Sequence, residues 1–283
     1  MAQLHGEISH VSDTALMVAA CRALESDTPN GLVHDPFAGR LAGERGLAML
    51  RALPQPEMMR FGIGVRSHFV DELLLEALAS HPIATVVSLG CGLDTRPWRL
   101  ELPSSLRWVE ADFADMLDYK DGLMSAETPR CRRERITADL NDAAQRRAIY
   151  SATGPAPALM ITEGLLVYLP AATVEALAAE AGRGNGITHW MSDVMTTGFA
   201  KALTLDTGRS VRNLQASDSL QGDQLLDLVG RHGWLTAARR SYIADMAFAM
   251  EPAARLLGDR AKPTGPPPVP PDDQTGVHRF ARP

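Results

Sequence analysis

The stretch that decides the fold is V-V-S-L-G-C-G-L-D-T-R, which runs from Val86 to Arg96. It contains most of a short apolar and β-branched segment, Ala84 to Leu89, which is typical of a strand buried on both faces of a parallel sheet. We expect this strand to end at Gly90, where the chain turns sharply before a helix. Gly90 and Gly92 carry no Cβ, so a ligand can approach the backbone of the turn closely. The stretch therefore predicts a strand, a ligand-binding turn and a helix in succession.

The next strand candidate, Arg107 to Asp112, ends in an acidic residue. Asp112 follows Gly92 by about 20 residues, the spacing at which an acidic side chain accepts hydrogen bonds from the hydroxyls of a ribose. Glu110 lies on the same face of this strand, because side chains alternate between the two faces, and it is the alternative ribose ligand. The spacing indicates that the ligand at the turn is a nucleoside.

The residues after Gly92 discriminate between two nucleoside cofactors. A dinucleotide site requires G-x-G-x-x-G, and here Thr95 occupies the place of the third glycine. Asp94 stands beside it, and a carboxylate at this turn would repel a pyrophosphate but tolerate the ammonium of S-adenosyl-L-methionine. The turn therefore favours the methyl donor over NAD. Asp94 is alternatively the cap of the following helix, and the two roles are compatible.

Strand and helix patterns alternate along the rest of the chain. We expect helices over Ala171–Gly182 and Leu225–His232. The strand candidates are Ala84–Leu89, Arg107–Asp112, Glu134–Ala138, Ala158–Thr162, Ile187–Asp193, Leu235–Tyr242 and Val277–Ala281. This alternation predicts an α/β fold with a doubly wound, mostly parallel seven-stranded sheet covered by helices on both faces.

Residues 1–82 have a helical pattern throughout and form an N-terminal extension or lid in this interpretation. Ser12 or Asp13 is expected to cap a first helix, and Pro36 to begin a second one that ends near residue 53. A third helix is expected over His68–Ser80. The remaining residues, 83–283, form the predicted core, with 195–220 as an insertion after the fifth strand on the substrate side and 263–271 as a proline-rich linker.

The composition excludes several classes of protein. A formal net charge of −6 over 283 residues argues against a nucleic-acid-binding face, which needs clustered lysine and arginine. The basic run Arg130–Arg135 is better explained as a solvated strand entry. Three scattered cysteines suit a reducing compartment rather than a disulfide framework or a zinc site. No segment resembles a signal peptide or a membrane span, so we expect a cytoplasmic protein that binds neither membranes nor nucleic acid.

Three longer motifs resemble one known family. They are G-C-G-L-D-T-R-P-W-R-L after the first strand, W-V-E-A-D-F on the second and I-T-E-G-L-L-V-Y-L on the fourth. They are similar to the leucine carboxyl methyltransferase family, and within it to the bacterial tetracenomycin-type polyketide carboxyl O-methyltransferases. The segments V-S-D-T-A-L-M-V-A-A-C-R-A-L-E-S and H-D-P-F-A also resemble that branch, and the resemblance covers most of residues 8–245.

The resemblance implies a Rossmann-like methyltransferase fold and an activity. The enzyme would transfer a methyl group from S-adenosyl-L-methionine to a carboxylate of a small metabolite, polyketide-like or otherwise secondary, and release S-adenosyl-L-homocysteine. The resemblance implies six cofactor-binding residues: Arg66, Gly90, Asp112, Asp139, Leu140 and Glu163. Gly92 and Asp94 of the turn complete the predicted set. No metal ligand is assigned.

The resemblance also implies what each of these residues contacts. Gly90 would lie against the methionine part of the cofactor and Asp112 would hold the ribose. Asp139 and Leu140 match an adenine-side contact, in which the carboxylate accepts from the exocyclic amine and the leucine packs on the ring. Asp139 is alternatively a helix cap.

Two further residues match contacts to the methionine part and its surroundings. Arg66 matches an arginine that forks onto the methionine carboxylate, and is alternatively an exposed arginine where a helix begins. Glu163 matches a cofactor-contacting acid at the carboxyl end of the fourth strand, where ligands bind in such sheets, and is alternatively a turn residue. Tyr168 is interpreted as a core residue, with the edge of the substrate pocket as the alternative.

The chemistry requires little acid–base machinery. A carboxylate acceptor has a pKa of about 4.3 and is ionised at neutral pH without a general base. Catalysis then depends on alignment and desolvation, and no catalytic residue is assigned. A phenol acceptor would require a base, for which His10, His68 and His189 are candidates, although each is interpreted as a surface or packing histidine. Arg209 and Arg212 are candidates to bind an acceptor carboxylate, with ordinary surface arginines as the alternative.

Three other functions remain open at this point. A nicotinamide-dependent oxidoreductase is disfavoured by the missing third glycine. A non-catalytic module would keep the cofactor site without transferring a methyl group. A methyltransferase acting on a protein terminus, as in the eukaryotic branch of the family, fits the N-terminal motifs less well than a small-molecule enzyme does.

Overall fold

The computed structural model describes residues 11–196, 215–220, 222–245 and 273–282. These residues contain one seven-stranded sheet with the strand order β3-β2-β1-β4-β5-β7-β6. The strands are β1 (Thr85–Leu89), β2 (Arg107–Asp112), β3 (Arg132–Thr137), β4 (Ala158–Thr162), β5 (Ile187–Val194), β6 (Leu235–Ser241) and β7 (Gly276–Ala281). The first five strands are parallel, and β7 runs antiparallel to β5 and β6. The predicted doubly wound, mostly parallel sheet is confirmed, and the strand ends differ from the predicted ones by one or two residues.

The described helices follow the expected order but not all of the expected boundaries. They are α1 (Val11–Ser26), α2 (Ala38–Arg51), α3 (Pro56–Ser80), α4 (Arg96–Arg99), α5 (Ala114–Met124), α6 (Ala143–Thr153), α7 (Ala171–Glu180) and α8 (Gly222–Arg231). A single 3-10 turn, Leu166–Tyr168, follows β4.

The N-terminal helices depart from the sequence-based prediction in three places. Ser12 and Asp13 lie inside α1 and do not cap it. The second helix begins at Ala38, where the Asp35 carboxylate accepts from the Ala38 backbone N–H, and it is broken at Gly43, whose φ of 55° is not helical. The third helix begins at Pro56 rather than at residue 68, because proline in a first helical turn loses no hydrogen bond.

The early start of α3 changes the position of Arg66. This residue lies in the interior of α3, and its side chain is only 16% exposed. The interpretation of Arg66 as an exposed arginine at a helix start is therefore wrong. It faces the inside of the molecule from the middle of a long helix.

Helices cover both faces of the sheet. Val87, Val109 and Met160 pack on one face with apolar residues of α6, α7 and α8. Val86 and Trp108 pack on the other face with one side of α3, which includes Phe69, Val70, Leu73 and Leu74. Strand residues alternate between these two clusters, as the pleat of a strand requires. α3 therefore belongs to the helical layer that packs against this face of the sheet.

The helices α1 and α2 form a third apolar cluster at one end of the sheet. Met17 of α1 and Leu41 of α2 belong to this cluster, together with Leu93, Trp98 and Met116 from the segments that follow β1 and β2. The turn after β1 therefore lies beneath α1, which positions the N-terminal helices over the carboxyl ends of the strands.

The predicted basic run Arg130–Arg135 lies at an edge of the sheet, where β3 is mostly exposed. Three of its four arginines form ion pairs: Arg130 with Glu101, Arg133 with Glu110 and Asp121, and Arg135 with Asp118. In the part of the chain that the structure describes, no helix is both long and apolar enough to cross a membrane. Most of the predicted insertion, residues 197–214 with Arg209 and Arg212, lies outside the described residues, as do His10 and the linker 263–271.

Two buried histidines predict a pH dependence of stability. Burial, together with the neighbouring His81 and Arg279, lowers the pKa of His189 from 6.5 to about 4, and burial lowers the pKa of His278 to about 4. Between pH 6.5 and 4 the two histidines are therefore protonated in the unfolded chain but neutral in the folded state. We expect the free energy of unfolding to fall as the pH decreases over this range.

The measurement is urea unfolding at a series of pH values between 7 and 4.5. Glutamine does not titrate, so His189→Gln and His278→Gln should each give a free energy of unfolding that depends less steeply on pH. The exposed His34 serves as the control, and His34→Gln should leave the slope unchanged. A slope that is the same in all four proteins would contradict the assignment of these two histidines.

Candidate cofactor-binding site

A cavity of about 360 Å³ lies at the carboxyl ends of β1, β2 and β4. Small-molecule sites in proteins typically measure about 300–1,000 Å³. All of the predicted cofactor-binding residues line this cavity: Arg66, Gly90, Gly92, Asp94, Asp112, Asp139, Leu140 and Glu163. The fold therefore brings together residues from five separate segments of the sequence.

The turn after β1 has the backbone conformation that its glycines indicated. Gly90 and Gly92 have φ values of 57° and 45°, in the left-handed region that side-chain-bearing residues avoid. A Cβ on Gly90 would stand 2.5 Å from Leu165 Cδ1, and one on Gly92 would stand 3.3 Å from the Cβ of Ala15. The glycines are thus required by the turn and by the side chains packed on it, in addition to any ligand.

We expect Gly90→Ala to destabilise the protein by about 1–2 kcal/mol from backbone strain alone, with a further cost as Leu165 is displaced. The measurement is urea unfolding. Adding Leu165→Ala removes the clash but leaves the strain, which separates the two costs. Gly122, which is exposed within α5 and has no atom near its Cβ position, provides the control. Gly122→Ala should stabilise slightly, and equal effects at the two glycines would contradict the strained turn.

Asp112 and Glu110, the two ribose candidates, have different environments. Asp112 lines the cavity, and its carboxylate accepts from the backbone N–H groups of Gly92 and Phe113, each at 2.7 Å. Burial raises the pKa of Asp112. Glu110 is fully buried behind the turn, where Lys120 Nζ and Arg133 each lie 2.7 Å from its carboxylate. Asp112 is therefore the acid that faces the cavity.

The Asp94 carboxylate is not a lone negative charge. It accepts from the Arg96 backbone N–H at 3.0 Å, so it does cap the start of α4, and its other oxygen lies 3.1 Å from the Arg96 guanidinium. Burial by itself would raise the pKa of Asp94, but Arg96 outweighs it and holds the pKa at about 2. Arg96 therefore offsets the negative charge of Asp94, and the repulsion of a pyrophosphate expected from Asp94 is reduced.

Glu163 lies between two arginines at the end of β4. Arg66 Nε is 3.0 Å from Oε1, and Arg96 Nη1 is 2.7 Å from Oε2. Burial would raise the pKa of Glu163, but the two guanidinium groups lower it. Arg66 also lies 3.6 Å from Asp193 at the end of β5. Glu163 is thus more than a turn residue, because its charge is fixed at the wall of the cavity.

Asp139 and Leu140 follow β3. The Asp139 carboxylate accepts from the backbone and side-chain N–H groups of Asn141, at 2.9 and 3.1 Å. Asp142 caps α6 by accepting from the N–H groups of its first turn, so the interpretation of Asp139 as a helix cap is wrong. Leu140 is 7% exposed and gives the cavity an apolar wall.

Asp35 links the N-terminal helices to the turn after β1. Its buried carboxylate lies 2.9 Å from Arg22 Nε of α1 and accepts from the Thr95 hydroxyl at 2.6 Å. Arg22 also donates to the Leu93 carbonyl at 2.6 Å. Because Arg22 lines the cavity, α1 and the turn form one connected wall.

Several lining residues were not predicted from the sequence. Tyr168 is half-buried and lines the cavity, which corrects its interpretation as a core residue. Phe113 also lines the cavity and is 45% exposed. Its position directly after Asp112 is a sequence signal for a place in the cavity wall. Arg96 also lines the cavity, and its contacts with acids from other segments follow only from the fold. For Arg22, nothing in the local sequence indicates its contact with the turn.

The histidines considered as bases lie elsewhere. His68 is 3.6 Å from Glu72 on α3, and His189 is buried beside His81 with ring centroids 4.4 Å apart. Neither is among the described residues that line the cavity.

Comparisons with known proteins identify the class. A relative from Mycobacteroides abscessus, named as a proposed S-adenosyl-L-methionine-dependent methyltransferase, is 40% identical over 183 residues, or 60% of this chain and 58% of that protein. A relative from Saccharopolyspora erythraea with the same name is 33% identical over 280 residues, or 91% of this chain and 93% of that protein. The chain is an S-adenosyl-L-methionine-dependent methyltransferase. The family model for leucine carboxyl methyltransferase matches residues 15–181, and the chain belongs to that family.

Solved structures support the fold. A proposed methyltransferase from Thermobifida fusca superposes with a TM-score of 0.56 at 15% identity, covering 99% of this chain and 96% of that one. A DUF574 family protein from Streptomyces avermitilis gives a TM-score of 0.55 at 14% identity, covering 94% and 97%. The expected family and fold class are confirmed, and no comparison favours the nicotinamide alternative.

The residues present fit S-adenosyl-L-methionine as the cofactor. A carboxylate can accept from its ammonium and from its ribose hydroxyls, and Asp94, Asp112 and Glu163 supply three carboxylates in one cavity. Its adenine requires an apolar wall, which Leu140 and Phe113 supply. The donor set and the size of the cavity are therefore consistent with the cofactor that the relatives indicate.

Proposed function

We propose that this methyltransferase esterifies a carboxylate of a small metabolite, polyketide-like or otherwise secondary. When bound, S-adenosyl-L-methionine supplies a methyl group on a positively charged sulfur. The family to which the chain belongs is named for a carboxyl acceptor, which supports an oxygen nucleophile of this kind.

We assign the cofactor contacts to the lining residues as follows. Asp112 accepts from the ribose hydroxyls, and Leu140 and Asp139 contact the adenine. Glu163 and Asp94 receive the ammonium, and the backbone at Gly90 and Gly92 lies against the methionine part. Arg66 binds the methionine carboxylate through the guanidinium nitrogens that its carboxylate partners leave available.

The observation that carries the carboxylate proposal is the fixed charge state of the groups around the cavity. The pKa values of Glu163 and Asp94 are lowered, that of Arg66 is raised by Glu163 against the effect of burial, and burial raises that of Tyr168. These groups keep their protons or their charges near neutral pH. Such a site suits a nucleophile that arrives already ionised, as a carboxylate does. The residues would then act by binding, orientation and exclusion of water.

We assign the N-terminal helices, within residues 1–82, the role of covering the cavity. α1 contributes Thr14, Ala15, Val18 and Arg22 to its wall, and α3 contributes Arg66 and Ser67. Within the core, residues 83–283, we assign the segment 195–220 to the acceptor side on sequence grounds, and residues 197–214 of it lie outside the described residues. We place the reaction in the cytoplasm, because three buried free cysteines suit a reducing compartment.

The test is a search for the methylated product. Purified protein is incubated with a metabolite extract and methyl-labelled S-adenosyl-L-methionine, and species that gain one labelled methyl are identified by mass spectrometry. Mild base then distinguishes the acceptor, because a carboxyl methyl ester releases labelled methanol and a phenyl methyl ether does not. Label that withstands base would contradict the carboxylate. Tight cofactor binding with no labelled product from any acceptor would favour a non-catalytic module.

A further inference from the structure

The buried guanidinium of Arg96 joins three elements that build the cavity. Arg96 is 3% exposed. Its Nε lies 2.6 Å from Asp71 of α3, and its Nη1 lies 3.1 Å from Asp94 after β1 and 2.7 Å from Glu163 after β4. Its Nη2 donates to the Ser67 carbonyl of α3 at 3.4 Å. One side chain therefore ties the turn after β1 to the end of β4 and to the helix behind both.

Two of these partners, Asp94 and Glu163, are carboxylates on the wall of the same cavity. Like charges in one low-dielectric site repel, and without a shared cation one of the two would take up a proton or turn away. Arg96 lies in contact with both, on the protein side. Its planar guanidinium can donate to several carboxylates at once, which a lysine ammonium cannot do with the same geometry.

We propose that Arg96 is a positioning residue that holds Asp94 and Glu163 side by side to receive the amino group of the cofactor's methionine part, and so determines specificity for ligands that carry that amino group. This inference rests on the proposed cofactor contacts of Asp94 and Glu163. The lowered pKa values of the two acids agree with it, since Arg96 contributes to both, together with Arg66 at Glu163.

Two ligands separate the role of Arg96 from the rest of the site. S-adenosyl-L-homocysteine carries the nucleoside and the amino acid part, whereas 5′-methylthioadenosine carries the nucleoside and the thioether alone. We expect Arg96→Gln to weaken binding of S-adenosyl-L-homocysteine by at least about tenfold, the usual loss when a charged hydrogen-bonded contact is removed. Binding of 5′-methylthioadenosine should change less than about threefold, because its contacts do not involve Asp94 or Glu163. Arg96→Lys should give an intermediate loss for the first ligand only.

A pH series supplies a readout that a merely structural role would not change. In the wild-type protein, affinity for S-adenosyl-L-homocysteine should be level from pH 8 down to pH 6, because Asp94 and Glu163 stay ionised. In Arg96→Gln, Asp94 loses its nearest cation, whereas Glu163 keeps Arg66 at 3.0 Å. The affinity for this ligand should therefore fall over that range as Asp94 takes up a proton, while that for 5′-methylthioadenosine stays level. Calorimetry at several pH values measures both ligands.

The control is Arg133→Gln. The side chain of Arg133 is 14% exposed and lies 2.7 Å from the buried carboxylate of Glu110, so its loss has a comparable cost in stability, and Arg133 is not among the described residues that line the cavity. It should leave the ratio of the two affinities unchanged. If Arg96→Gln does not fold, as judged by circular dichroism, the folded Arg96→Lys protein carries the test.

Two results would overturn the proposal: an equal loss for both ligands, or a pH profile as level as in the wild type. Failure of the proposed function looks different, because the wild-type protein itself would then bind S-adenosyl-L-homocysteine no better than 5′-methylthioadenosine, or neither of them.

Discussion

Replacing Asp112 by asparagine is expected to weaken binding of S-adenosyl-L-homocysteine by about 100-fold. Hydrogen bonds to a charged group contribute about 1.5–3 kcal/mol each, and the proposed pair to the ribose hydroxyls would lose roughly 3 kcal/mol in total when the charge is removed. Binding of 5′-methylthioadenosine should weaken equally, because it presents the same ribose. Calorimetric titration of both ligands measures the effect.

The design of this variant isolates binding from folding. Burial already disfavours the charge of Asp112, since its pKa is raised, and an asparagine Oδ1 can still accept from the Gly92 N–H, but its Nδ2 cannot accept from the Phe113 N–H. Asp112→Asn should therefore fold, with a cost of about 1 kcal/mol for the one lost hydrogen bond. The exposed Asp115, one residue into α5, provides a control with the same change of charge. Affinity that stays within about threefold of the wild type in Asp112→Asn would exclude Asp112 as the ribose ligand.

The largest expected effect on stability belongs to Asp35→Ala. Removing one partner of a buried ion pair typically costs about 3–5 kcal/mol, because the other charge is left uncompensated. Asp35 is 2% exposed and neutralises Arg22, accepts from Thr95 and caps α2. The denaturant midpoint should fall sharply in urea unfolding, with the dependence on urea concentration unchanged.

Variants of different severity test the origin of this effect. Asp35→Asn keeps an oxygen for the cap of α2 but loses the charge that Arg22 requires, so its cost should be intermediate. Asp27 is exposed, so Asp27→Ala removes the same charge and should change the free energy of unfolding little. Burial would raise the pKa of Asp35, but Arg22 and Thr95 lower it, so its contribution is present above about pH 4 and fades below that value. A cost under about 1 kcal/mol for Asp35→Ala would show that Arg22 finds another partner.

The sheet could be predicted from the sequence because its signals are local. Each central strand, such as Thr85–Leu89 or Ala158–Thr162, is a short apolar run of fitting length, and the turn glycines mark where the first one ends. The positions of Asp112 and Glu163 at the cavity could also be predicted, because both residues lie at the carboxyl ends of parallel strands, and these ends meet at one edge of the sheet.

The parts that could not be predicted depend on contacts distant in sequence. Gly62 and Gly64 lower the intrinsic helix propensity of the first half of α3, which lies outside the predicted helix His68–Ser80. Packing overrides that propensity: a Cβ on Gly64 would stand 3.0 Å from the side chain of Glu25, so the glycine allows α1 and α3 to approach closely. The partners of Arg96 and Arg22 are likewise fixed only when separate elements meet, because no local pattern states which acid an arginine will bind.

The sheet order has a consequence for how the protein is made. Among the strands that the structure describes, β6 pairs only with β7, and β7 joins it to β5, although β7 follows β6 in the sequence. During synthesis the first five strands can associate as they leave the ribosome, but β6 lacks its described hydrogen-bonding neighbour until residues 276–281 emerge. A chain truncated before residue 276 would therefore lose β7 and leave β6 without its link to β5.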